Sequence, residues 1–415
     1  MNLLLVVISS VLFWVSVRRV LSAQSRTLAD YAILVIWVFN CLPILLDLTV
    51  GPPQYHLYPW LVRLATAVES DAVGGAYAAY NLLVLLVLSS YARRAQQRAH
   101  LATRVYADGR FLRNPSLVIV AAMPFVLVLA SGSLEAFADY TSLGRRISGP
   151  MYEVIGASVL IALYAYVCWY FSRSRGAWGK VAALAYFAGI AWIDGKRYII
   201  AVMALMTLYM YMNSAHAKPF RISRRIAAVM VLGLFGLFYV LYALEFKSVS
   251  AGLDSLYLAL RIDFGRDDVI KYVLYQELIE KAPIIPYRGA TVVSALLLFV
   301  PRAIWPVKPY PHYRYLTASM LGTGVLSIPA GMTPSLFEMS LANLGVPMGV
   351  ILTCVVLVWL CWLGDRSRTV VRSALYLILI VTLLTQSLDA ITGLLAVFYI
   401  EGVLHMMSAA VRGSR

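Results

Sequence analysis

Charge is scarce in this chain. Asp, Glu, Lys and Arg make up only 13% of 415 residues, and the acids number just 20. A composition that is 61% hydrophobic, with mean hydropathy +0.78, exceeds what one soluble interior can hold and leaves too little charge for a wet surface. A soluble enzyme and a disordered chain are therefore excluded. Cysteine is sparse as well. Cys41, Cys168, Cys354 and Cys361 all lie in apolar stretches without ligand spacing. That excludes a disulfide scaffold and favours small buried hydrophobes over metal or redox chemistry. Internal repeats and low-complexity runs are absent.

What the sequence does contain is apolar runs of 15 to 22 residues, close to the roughly 20 that cross a bilayer core as helix. The spacing predicts an all-α integral membrane protein with about eleven spans, near 2–17, 29–50, 72–91, 116–131, 151–172, 181–193, 198–212, 226–246, 341–363, 373–388 and 390–410. The runs are continuous rather than alternating, and in lipid the backbone must satisfy itself, so the spans are helices. The first lacks a small-residue cleavage site and is followed by Arg18 and Arg19, which marks it as retained. Three regions result: spans one to eight in 1–246, a large outer loop in 247–340, and spans nine to eleven in 341–415.

Loops on one side carry 21 of the 35 basic residues and three acids, Asp30, Asp108 and Asp365. The positive-inside rule puts that side in the cytoplasm, with the amino terminus outside and the carboxy terminus inside. The net charge of +15 then reflects orientation and anionic headgroups, and gives no reason to invoke nucleic acid.

The outer loop from Lys247 to about Leu344 is unusual among short connections, and it holds nine of the 14 outward basic residues, including Arg266, Arg288 and Arg314. Asp267–Lys281 reads as an amphipathic helix, with Val269, Ile270, Val273, Leu274 and Leu278 on one face and the pairs Asp267–Lys271 and Glu277–Lys281. Such a helix either lies flat on the membrane or takes part in chemistry. Thr291–Ile304 is too short to span and return, so it reads as partly inserted. It ends in a stretch with Pro301, Pro306 and Pro309, whose fixed φ angles stiffen a turn around Arg302 and Lys308, with Trp305 suited to an interface. Two held cations there are either snorkelling interfacial residues or a clamp for a lipid-linked phosphate or pyrophosphate.

Ala318–Gly331 is small, Gly-rich and expected to be mobile. Thr333-Pro334 reads as an N-cap followed by Pro at the first helical position. Glu338 in the first turns is then a general-base candidate or a helix-dipole partner. Asp194-Gly195-Lys196-Arg197 is a charged turn, either solvated or part of an anion site. Arg145 and Arg146 are candidates for a sugar or phosphate surface. His312, among Tyr310, Tyr313 and Tyr315, is a candidate for sugar stacking or proton shuttling, or else structural. Asp389 and Glu401, in or beside the last span, count as functional candidates because carboxylates are costly in lipid.

The segment Phe299-Val300-Pro301-Arg302-Ala303-Ile304-Trp305-Pro306-Val307-Lys308-Pro309 resembles the Pro-Arg, Trp, Lys-Pro turn of bacterial Wzy-type O-antigen and oligosaccharide repeat-unit polymerases. Asp263-Phe264-Gly265-Arg266 and Tyr287-Arg288-Gly289 precede it, as similar elements do in that family. Thr333-Pro334-Ser335-Leu336-Phe337-Glu338 with Asn343-Leu344-Gly345 resembles the family's Pro-Ser, Glu, Asn, Gly segment, although Phe337 stands where many relatives carry Gly. Gly195-Lys196-Arg197 is similar to its charged turn. The resemblance implies an inner-membrane glycosyltransferase with a GT-C-like fold, related to O-antigen ligases and acting at the periplasmic face. Such enzymes transfer a growing glycan from undecaprenyl pyrophosphate to the non-reducing end of a new lipid-linked repeat unit. A chain-length regulator and a flippase are implied partners. On that reading Arg302 and Lys308, then Arg197 and Arg266, hold the departing pyrophosphate. Glu338 activates the acceptor hydroxyl, with His312 or Asp194 as substitutes. Lys196, Arg288, Arg314, Trp305 and Tyr313 line the substrate path, and Ala318–Gly331 admits the polymer. With no Asp-x-Asp run in the outer loops and no clustered carboxylates, catalysis is expected to need no metal and no cofactor. The alternatives are an O-antigen ligase, a transporter or flippase for lipid-linked sugars, and a non-catalytic scaffold.

Overall fold

In a computed structural model the described residues are 1–21, 26–53, 55–57, 59–99, 116–132, 137, 152–171, 176–195, 197–213, 257, 261, 265–297, 300, 302–328, 331–367, 369–391 and 394–395. Among them the architecture is helical and contains no strand. Fourteen helices are labelled here: α1 Asn2–Leu21, α2 Leu28–Val50, α3 Val62–Glu69, α4 Asp71–Ala99, α5 Ser116–Ala130, α6 Tyr152–Phe171, α7 Ala177–Asp194, α8 Arg197–Asn213, α9 Arg266–Tyr275, α10 Ala290–Leu296, α11 His312–Leu321, α12 Leu336–Leu344, α13 Val346–Asp365 and α14 Val370–Thr385.

Five of these, α1, α2, α4, α6 and α13, are long and apolar enough to cross a membrane. The predicted spans α5 and α14 are apolar but only 15 and 16 residues long, about 23–24 Å at 1.5 Å per residue against a hydrocarbon core of about 30 Å. The sixth and seventh predicted spans form helices α7 and α8, outside that set of five. The predicted spans 226–246 and, for the most part, 390–410 lie outside the described residues.

The chain divides into two compact units. The first comprises residues 1–102, 217–293 and 309–365. Its spanning helices bury small and polar groups along with apolar ones, and they also expose many large apolar side chains. On α13, Gly349, Thr353, Cys361 and Gly364 face inward together with Leu357 and Leu360, while Met348, Ile351, Val355 and Trp359 face outward. Water would favour the reverse; lipid favours this arrangement, because close backbone approach rather than apolar burial drives helix association there. Gly349 makes that approach possible, since a Cβ at this position would lie 2.6 Å from the Ser340 carbonyl oxygen on α12. Polar ties complete the unit. The Asp365 carboxylate accepts from the Leu28 amide at 3.0 Å and the Tyr91 hydroxyl at 3.1 Å. Asn40, in a π-helical turn of α2 (Trp37–Cys41), donates to Asn81 at 2.9 Å.

The second unit comprises residues 103–216, 294–308 and 366–415. The rings of Tyr166 on α6 and Tyr186 on α7 stack at 3.7 Å, and the hydroxyls of Tyr209 on α8 and Ser373 on α14 lie 2.6 Å apart.

Three local expectations change. The predicted helix 267–281 is α9 followed by a π-helical turn, Gln276–Glu280, which ends at Lys281 in a left-handed conformation (φ 54°). Asp267 through Leu274 are all buried, so α9 is packed on every side and does not lie flat on a membrane surface. It rests on α3, α4, α12 and the π-helical turn of α2. The π-turn rotates Glu277 away from Lys281 and toward Arg288, which it meets with two contacts of 2.6 Å. The N-cap of α12 is Ser335, not Thr333. Ala318–Leu321, placed in a mobile segment by composition, completes the last turn of α11.

Candidate functional site

The proline-stiffened turn closes on itself through its two cations. The Arg302 guanidinium donates to the Lys308 carbonyl at 2.5 Å, and the Lys308 ammonium donates to the Val300 carbonyl at 2.9 Å. Each cation thus satisfies a loop carbonyl that no helix would satisfy, which holds both charges in place. Ile304 (77% exposed) and Val307 (82%) form an apolar tip, with Trp305 half-buried beside them.

Glu338 lies in the other unit, at the third position of α12, and is 0% exposed. It forms a capping box with Ser335: one carboxyl oxygen accepts from the Ser335 amide and the other from the Ser335 hydroxyl at 2.5 Å. Burial pushes its pKa up to about 7, against the Ser335 hydrogen bonds and the charge of Arg266. The helix-cap reading therefore accounts for both oxygens. Ser335→Ala is expected to cost about 0.5–2 kcal/mol through the lost cap. It should cost more at pH 8 than at pH 6, because the Glu338 pKa then rises further and its ionised form is penalised over a wider range. Denaturant midpoints at the two pH values measure this.

His312 begins α11 and is buried. Its Nδ1 lies 3.3 Å from the Thr291 hydroxyl, which also meets Asn343 at 2.7 Å, while Nε2 has no partner. Burial pushes the ring down to about 3, so it stays neutral. It does not stack with Tyr310, Tyr313 and Tyr315 as an exposed sugar platform. Arg288 is committed to Glu277 and to the Ala342 carbonyl at 2.7 Å. Arg314 meets the Tyr313 hydroxyl at 3.3 Å and sits over the Tyr310 ring. Asp194 is buried at the end of α7, where Gly195 takes the left-handed cap. Arg145, Arg146, Lys196 and Glu401, and the side chains of Arg197 and Asp389, lie outside the described residues.

Sequence reasoning missed the strongest electrostatic feature of the first unit. Arg261, only 1% exposed, contacts three carboxylates: Asp267 at 2.7 Å, Asp47 at 2.9 Å and Asp268 at 3.2 Å. Lys271 adds Asp267 at 2.8 Å, as its i,i+4 spacing predicts, and Asp268 at 3.9 Å. Tyr257 donates to Asp47 at 2.6 Å, and Tyr55 donates to Asp268. Two cations thus face three carboxylates. Burial alone would raise both aspartates of α9, but Arg261 and Lys271 overcome it at Asp267, which stays below the usual carboxylate range. At Asp268 burial prevails over Arg261, and the neighbouring Asp267 charge adds to it, giving about 7. Asp268 and Arg261 also line a cavity of about 400 Å³ within this unit. The doublet Asp267-Asp268 four and three residues before Lys271 was a legible hint. Asp47, inside an apolar run, was the second.

Among the described residues no group of three His, Cys, Asp or Glu side chains is arranged to hold a metal ion. No family model, curated protein or solved structure matches the chain.

Proposed function

We propose that this chain is a membrane glycosyltransferase that polymerises lipid-linked oligosaccharide repeat units, as in O-antigen synthesis, at the outer face of a bacterial inner membrane. The observation that carries the reading is the turn 300–308. Its sequence resembles the polymerase turn, and its two cations are anchored beside an apolar tip. On this reading Ile304 and Val307 meet the hydrocarbon boundary, and Arg302 and Lys308 serve lipid phosphates beside it. A guanidinium and an ammonium there neutralise the charge that builds on a departing pyrophosphate. The eleven-span topology, the periplasmic amino terminus, the GT-C-like fold, the undecaprenyl-pyrophosphate substrate and the partnership with a flippase and a chain-length regulator belong to the same proposal.

Cells lacking the protein should carry a single repeat unit where the wild type shows a ladder. Ligase loss would instead leave polymer on the lipid carrier. Arg302→Ala is expected to lower polymer formation about 10²–10³-fold at normal protein abundance, and activity should persist in chelator. An unchanged ladder in the null strain sinks the reading. A lipid-linked sugar transporter is the second reading, favoured by the polar groups Asn40, Asn81 and Tyr77 buried within α2 and α4. It would stall repeat units on the cytoplasmic leaflet, which a headgroup-accessibility assay detects.

A further inference from the structure

We propose that the cavity beside Asp268 receives the acceptor sugar, and that the Asp268 carboxylate is the base that takes the proton from the attacking hydroxyl. The inference rests on the polymerase reading for its reaction. Its geometry stands independently.

The cavity of about 400 Å³ lies in the range of small-molecule sites. Its walls are mostly apolar (Leu64, Met320, Met332), with Tyr55, Arg261 and Asp268 as the groups that can orient a ligand. The cluster behind it sets the ligand's charge. Two cations already serve three carboxylates, so no cation is left over to hold a further anion, and the site does not suit a pyrophosphate. An uncharged molecule that brings hydroxyl groups and apolar ring faces fits. A sugar hydroxyl can donate to Asp268 and accept from Arg261, whose buried Nε has no partner.

Backbone packing keeps this wall in place. At Gly331 a Cβ would lie 2.3 Å from the Thr317 hydroxyl, which accepts from the Met332 amide at 2.9 Å. At Gly265 a Cβ would lie 2.5 Å from the Arg261 carbonyl and 2.7 Å from its guanidinium. Both glycines line the cavity at positions where a side chain would not fit.

The two aspartates of the doublet divide the work. Asp267 stays ionised between Arg261 and Lys271 and holds the charge array together. Asp268 accepts from Tyr55 and contacts Arg261 more loosely, at 3.2 Å. The groups facing it are Tyr55 and Arg261, with Asp267 and Lys271 on its own helix. Of the groups on the other elements packed against α9, Asp47 of α2 is paired with Arg261 and Cys41 of α2 is buried. Arg63 of α3 donates to the Ser319 carbonyl, Glu69 of α3 meets His56, Tyr77 lies beneath Lys271 and Glu338 is turned to Ser335. A pKa of about 7 suits a base that must accept and release a proton near neutrality.

The step balances within the reactants. The hydroxyl proton passes to Asp268, and the freed oxygen pair forms the bond to the donor's anomeric carbon. The bond from that carbon to the pyrophosphate oxygen breaks, and its electron pair leaves with the lipid pyrophosphate. Asp268 then returns the proton to water.

The test uses the full chain in nanodiscs, supplied with the lipid-linked oligosaccharide that cells lacking the protein accumulate. Wild-type transfer should rise with pH through about 7. Asp268→Asn should lose about 10²-fold or more and the rising limb with it, with an unchanged melting temperature. Asp268→Glu should restore part of the rate. Tyr55→Phe removes a hydrogen bond that favours the ionised carboxylate, so it should move the limb to higher pH. If Asp268→Asn fails to fold, the limbs of Asp268→Glu and Tyr55→Phe decide. A folded Asp268→Asn with wild-type rate and limb overturns the inference, as does loss of the limb in Glu338→Gln instead. A wild-type protein that transfers nothing, together with an intact ladder in the null strain, overturns the polymerase reading itself.

Discussion

Arg261→Met is expected to cost the first unit about 3–5 kcal/mol, the range measured when one partner of a buried ion pair is removed. The guanidinium holds Asp47, Asp267 and Asp268 at 2.9, 2.7 and 3.2 Å, in surroundings that leave it 1% exposed. Without it, Lys271 alone faces three carboxylates. Two of them must then take up protons or draw in water, and either disrupts the packing of α9 on α3, α4 and α12. The loss should shrink when Asp267→Asn is added, because that variant removes the charge most dependent on Arg261. A double-mutant cycle on denaturant midpoints in detergent measures the coupling. A loss under about 1 kcal/mol for Arg261→Met would mean that the network is wet and weakly coupled.

Gly349→Ala should also be strongly destabilising, by about 1–3 kcal/mol or more. Its Cβ would fall 2.6 Å from the Ser340 carbonyl oxygen and 2.7 Å from the Leu341 Cα and amide nitrogen. All three are backbone atoms, so no side chain can swing aside, and α12 must move off α13. Gly74→Ala is the matched control. Nothing lies within 4 Å of its added methyl, and it sits inside α4, where Ala is favoured over Gly by about 0.5–1 kcal/mol. The two substitutions are chemically identical and should have opposite signs. Equal midpoints would show that the α12–α13 contact is looser than described.

The site was legible where one turn of chain carries it. Three prolines in the 299–309 segment implied a rigid turn, and Arg302 and Lys308 do anchor it, although they do so by binding its carbonyls. Asp267 and Lys271 paired as a four-residue spacing on a helix requires. Glu338 was legible as a helix-start carboxylate, but a two-residue error in the cap hid that Ser335 occupies both of its oxygens. Arg261 and Asp47 are 214 residues apart, and no local pattern connects them.

Composition and hydropathy alone determined that the chain is helical, and they located helices long and apolar enough to cross a membrane, because lipid penalises every unpaired backbone group and constrains segment length. Only the tertiary structure decided which charges are buried together and which carboxylate borders a cavity. Those outcomes depend on desolvation and on Coulomb terms between residues far apart in the chain, and neither quantity is a property of any short stretch of sequence.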